Sequence, residues 1–257
     1  MSIDYPINTL ILITIGALGI GVAVWFLLSE ALNRLPLSAP VKRNWRWGAA
    51  VVLVGWALVR LLMEINPPGG QPIGTLVTVA FVAFGLIVGT LPLVFSSNYR
   101  QIVRATPSTW LIGLQMIRVI GGFFLVLLDM KLLPANFALP AGYGDVTVGV
   151  LSVVVVYLLA TNKPYARSAA VLWNLLGLLD LIIALATGTT FIPAFTAQLA
   201  ATGVSLSYLN YVLVIPAYGV PLAAVAHIYS LYQLSSRHGA ETKQAADAPV
   251  QSSAFAK

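Results

Sequence analysis

The chain has 257 residues, of which 59% are hydrophobic and only 9% charged, with a formal net charge of +6 and no cysteine. A water-soluble domain carries about 25% charged residues, so this composition excludes an ordinary soluble enzyme. The missing thiols exclude disulfides, thiolate metal sites and a cysteine nucleophile.

The apolar residues gather in seven runs, at about 8–29, 47–66, 73–96, 109–132, 145–161, 168–187 and 209–233. A run of about 20 residues at ~1.5 Å each crosses a hydrocarbon core of ~30 Å. The expected fold is all-α: a multi-pass bundle of seven transmembrane helices over residues 1–235, followed by a disordered tail, 236–257, rich in Ala, Ser and Gln. Met1–Pro6 holds no basic residue, and the first run is longer than the ~7–15 residues of a signal-peptide core, so it is expected to remain as a helix.

Basic residues set the orientation. Arg34, Lys42, Arg43 and Arg46 follow span 1, Arg100 and Arg104 follow span 3, Lys163 and Arg167 follow span 5, and Arg237, Lys243 and Lys257 follow span 7. These segments share one side, and only Lys131 lies on the other, which predicts an outer N-terminus and a cytoplasmic C-terminus in a cell (inner) membrane. Charge spread over short loops does not suit nucleic acid. The expected partners are membrane lipid and a small-molecule ligand.

Span 2 places Trp56, Arg60 and Glu64 at four-residue steps on one helix face, where Arg60 has Glu64 as a salt partner and Trp56 as a ring to lie on. The bland reading of these residues is a self-neutralised pair that anchors the helix.

Span 4 puts Gln115, Arg118, Gly122 and Asp129 on one α-helical stripe. Arg118 falls near the bilayer centre, where an arginine costs about 2.5–3.5 kcal/mol on insertion scales, so it is expected to face the bundle interior and an acidic partner. Gly121 and Gly122 permit close approach by a neighbouring helix.

Before span 5, Gly142-Tyr143-Gly144-Asp145 resembles the end of the potassium-channel filter signature. Pro140 and Ala141 stand where that filter has Thr and Val, and no pore helix precedes them. The favoured reading is a glycine turn with Asp145 as the N-cap of span 5, delivering a carboxylate to the outer mouth of the bundle.

Span 6 carries Trp173, Gly177, Asp180 and Ala184 on a second stripe, with Asn174 beside it. Asp180 is the expected partner of Arg118, with Arg60 as the rival arginine. Residues 188–208 read as a longer outer connection. In span 7, Pro216 and Pro221 suggest a bend, and a lone His227 reads as packing. No lysine is present there to hold retinal as in rhodopsin-like pigments, and no histidine spacing suits a metal, so neither cofactor nor metal is expected.

Arg118, Asp180, Arg60, Glu64, Gln115, Asn174, Trp56, Trp173 and Asp145 therefore form the candidate ligand-binding set. The leading expectation is a protein that binds or transports a small molecule through a polar pocket open to the outside. The alternatives are an intramembrane enzyme acting on a lipid or isoprenoid, with Asp180 or Glu64 as acid, and a non-catalytic accessory subunit whose charges only specify helix packing.

Overall fold

A computed structural model describes residues 7–65, 75–202 and 214–246. Every regular element among them is helical: α1 (Ile7–Asn33), α2 (Ala39–Ile65), α3 (Thr75–Phe95), α4 (Ser97–Ala105), α5 (Ser108–Leu114), a 3₁₀ segment (Gln115–Gly122), α6 (Phe123–Asp129), α7 (Ala135–Ala160), α8 (Ala166–Thr202), a π segment (Ile215–Gly219) and α9 (Val220–Ala246). Five stretches are long and apolar enough to cross a membrane: Ala39–Met63, Leu76–Phe95, Ser108–Asp129, Ala135–Ala160 and Ala166–Gly188. Their outward faces are oil-like, with Leu76, Phe95, Val51 and Leu62 all exposed, as expected where lipid rather than water is the solvent.

Helix α7 is the central post. It packs on the 3₁₀ segment and on α8, and its buried face reads Ala138, Ala141, Gly142, Val148, Gly149, Ser152 and Val155. These small residues let backbones meet closely, which is how helices associate without a hydrophobic driving force between them. A methyl on Gly149 would lie 2.8 Å from the Val119 amide nitrogen.

That packing overturns the turn expected at Gly142–Asp145. The helix begins after Pro134 and runs through Pro140, Gly142 and Gly144, so Asp145 is mid-helix and not an N-cap. Glycine costs a helix about 1 kcal/mol relative to alanine, and here close contact with α6 and the 3₁₀ segment outweighs it. Gly142 sits against Leu125.

Two further boundaries differ from the sequence reading. Helix α8 continues to Thr202, so much of the 188–208 connection is helical, with Ala194, Ala197, Ala200 and Ala201 favouring the winding. Helix α9 runs to Ala246, past the boundary drawn at 235–236. The remainder of both segments (203–208 and 247–257) lies outside the described residues.

Between α3 and α5, α4 is a short amphipathic helix capped by Ser96, whose side chain accepts from the Tyr99 amide at 3.2 Å. Gln233 of α9 fixes the next corner by donating to the carbonyls of Thr106 (2.6 Å) and Val103, while Ser108 donates back to it.

Candidate functional site

Arg118 is held in the bundle interior by partners from three other helices. Its Nε donates to Asp145 Oδ1 of α7 at 2.7 Å, and its Nη2 donates to Asp180 Oδ2 of α8. Nη1 reaches the Gly177 carbonyl at 3.3 Å and His227 Nε2 of α9 at 3.4 Å. The arginine side chain is 5% exposed, against 17% for Asp145 and 14% for Asp180. One guanidinium between two carboxylates leaves a formal charge of −1, an excess that a dry interior penalises unless a proton or a cationic group balances it.

Glycines make the seats for these charges. A methyl on Gly121 would run into Asp145, one on Gly144 would fall on the Asp180 carboxylate, and one on Gly177 would meet the His227 ring. Each polar side chain therefore lies over a glycine of a neighbouring helix. A bulkier residue at any of the three would push that side chain aside.

The winding of the 3₁₀ segment between α5 and α6 follows the same logic. In a 3₁₀ helix residues three apart eclipse, and the buried residues of the segment are Gln115, Arg118 and Gly121, at steps of three. The polar stripe is thus Gln115–Arg118–Gly121, not the α-helical Gln115–Arg118–Gly122–Asp129, and Asp129 is exposed at the end of α6. Gln115 anchors this winding by donating to the Ala223 carbonyl of α9 at 2.9 Å.

His227 is the residue that sequence reasoning set aside and the structure brings in. It is 1% exposed. Asn174 donates to the Ala170 carbonyl at 2.7 Å and to Ser230 Oγ at 3.0 Å, which leaves its Oδ1 to accept from His227 Nδ1 at 2.9 Å. The histidine then carries its proton on Nδ1 and turns the Nε2 lone pair toward Arg118. Trp173, pinned to the Val148 carbonyl at 3.1 Å, closes the far side with its ring 4.9 Å from the imidazole. The signal available in the sequence was that His227 is the single histidine, with no acidic or basic residue beside it, in its span.

Gln115, Arg118, Asp145, Trp173, Asn174 and Asp180 are thus gathered together. Trp56 and Arg60 belong elsewhere. Trp56 packs on Phe84 and Tyr218, with ring centroids 5.5 Å and 4.9 Å away. Arg60, 2% exposed, lines a 420 Å³ apolar cavity between α1 and α2 with Leu53, Ala57 and Tyr218. Glu64 lies in the last turn of α2, and its side chain is outside the described residues.

A cavity of about 70 Å³ adjoins the cluster. Arg118 and Asp145 form its polar wall, and Ile117, Ile120, Ile215 and Gly219 are among its apolar lining. It is large enough for a few water-sized molecules. Both departures from α-helical winding, the 3₁₀ segment and the π segment, border it. Such irregular turns inside helices recur at hinges and functional sites.

The fold and site define an all-helical protein, with five helical stretches long and apolar enough to cross a membrane, built around a buried, glycine-seated ion cluster. The chain belongs to the family described as a domain of unknown function (DUF8737), whose model matches residues 72–235. That span contains the whole cluster and stops short of Trp56, Arg60 and Glu64. No curated protein and no solved structure matches the chain.

Proposed function

We propose that the chain crosses the membrane seven times, with an outer N-terminus and a cytoplasmic C-terminus, and binds or transports a small polar solute at the Arg118 cluster. The seven spans combine the five apolar helices of crossing length with α1 and with the π segment and α9. The distribution of basic residues supports the orientation. Membrane lipid and the solute are then its partners.

One observation carries the functional reading. A guanidinium deep among apolar helices is bracketed by carboxylates from two different helices, with two of the three groups on the wall of a small cavity. A structural ion pair needs one partner for the arginine. The second carboxylate gives the site an acceptor beside a donor, the pairing that recognises a solute bearing both, and an unbalanced charge that couples naturally to a proton.

The test is flux into proteoliposomes of a panel of small anionic, zwitterionic and neutral solutes. Saturable flux of at least one, abolished in Asp180→Asn while the protein still folds, is the expected result. Wild-type liposomes inert to every member, alongside stoichiometric copurification of another membrane protein, would instead mark an accessory subunit.

A second reading draws on a 360 Å³ apolar cleft lined by α1, α2, α3, α4, α5 and α9, with Trp56, Tyr99 and Tyr229 on its wall. Its size and lining suit a lipid or isoprenoid. Product formed by detergent-solubilised protein without a gradient would favour an enzyme there.

A further inference from the structure

The Ser108–Asp129 stretch abandons α winding where it carries Arg118, and does so for eight residues, Gln115–Gly122. Runs of 3₁₀ helix beyond about 3–4 residues are uncommon because their hydrogen bonds are poorer. Something must hold this one. The Gln115 bond to Ala223 and the two salt links of Arg118 do so from both sides of the polar stripe.

The sequence of the segment fits either winding. Starting from Gln115 and Arg118, the next residue on the same face is Gly121 in a 3₁₀ helix and Gly122 in an α-helix. Both are glycine. Gly121 now lies against Asp145, where a methyl would collide, while a methyl on Gly122 would lie 3.1 Å from Val146 Cγ2, a contact that a small shift relieves.

We infer that Gln115–Gly122 is a two-state element that alternates between 3₁₀ and α winding, the Gly121–Gly122 doublet presenting a glycine to Asp145 in each state. A 3₁₀ helix turns about 120° and rises ~2.0 Å per residue, against ~100° and ~1.5 Å for an α-helix. From the Gln115 anchor, the change turns Arg118 by about 60° and moves it ~1.5 Å along the axis, enough to exchange its hydrogen-bond partners. Over the whole segment, the rod shortens by about 4 Å. The adjoining cavity, bounded by Ile117, Arg118 and Ile120 on this segment and by Ile215 and Gly219 on the π segment, supplies the room.

The winding switch stands on geometry alone; its use as the step that moves a solute past Arg118 rests on the transport reading. In that role, Arg118 releases one carboxylate as the rod rewinds, freeing a charged donor toward the cavity.

The absence of cysteine makes the test direct. Thr109→Cys and Val126→Cys flank the segment, Val126 being exposed, and a pair of spin labels there reads its length in lipid nanodiscs. The wild-type protein is expected to show two distances about 4 Å apart. Gly122→Ala should retain only the longer, because alanine would meet Asp145 in the α state, and Gly121→Ala should retain only the shorter. If Gly121→Ala does not fold, wild type against Gly122→Ala still decides: loss of the shorter distance supports the switch. One distribution common to all folded variants overturns it. Moving labels without solute flux would sink the transport reading alone, and flux with fixed distances would sink the switch alone.

Discussion

Two arginines lie buried among apolar helices, and their surroundings differ. Arg60 is set in the wall of a large apolar cavity beside Tyr218, on a helix outside the family match. Arg118 is gripped by side chains from three other helices, each seated over a glycine. Burial is common to both, so burial does not mark the site. Arg118 shows convergence: polar and charged residues distant in sequence are brought together on it from α7, α8 and α9.

The sharpest way to break the contrast is to remove one carboxylate. Asp180→Leu leaves the Arg118 Nη2 donor buried without its acceptor, while Asp145 still balances the guanidinium charge, and the expected loss is about 1.5–3 kcal/mol in thermal or denaturant unfolding in mild detergent. Replacing Arg118, Asp145 and Asp180 together by Met, Leu and Leu is expected to restore folding to near the wild-type level, because matched apolar groups carry no desolvation cost. A triple variant as unstable as the single one would show that the ions hold the bundle together.

A smaller effect is expected at the glycine seats. Gly144→Ala forces the Asp180 carboxylate aside and should cost about 1–3 kcal/mol, read as a lowered melting temperature. Asn174→Ala leaves His227 Nδ1 and Ser230 without their partner, for a cost of about 1–3 kcal/mol. Histidine ¹⁵N spectra should show the ring losing its fixed tautomer.

The smallest effect belongs to the other region. Gly55 of α2 faces open space, so Gly55→Ala should stabilise by up to about 1 kcal/mol through helix propensity. Opposite signs at Gly144 and Gly55, measured side by side, would establish that the glycines of the cluster are there for packing.

The pairing of Arg118 with Asp180 is legible in the sequence, because a charge at mid-span demands a partner and Asp180 stands at comparable depth one stripe away. Asp145 is harder to place. Gly-Tyr-Gly-Asp has the chemistry of a turn, and only the close approach of α7 to α6 and the 3₁₀ segment turns that glycine content into a helix. His227 is illegible as a site residue for a related reason: which face of α9 points inward depends on the π winding at Ile215–Gly219 before it. The three-residue repeat Gln115–Arg118–Gly121 is visible in the letters, yet α periodicity is the reasonable default and hides it.

The most direct test of the Arg118 cluster is a double-mutant cycle on unfolding free energy, combining Arg118→Met with Asp180→Leu. A mutual ion pair predicts a coupling within the range of about 0.5–3 kcal/mol seen for contacting residues, and here toward its upper end. Strictly additive losses, within about 0.3–0.5 kcal/mol, would mean the two side chains do not meet in the membrane.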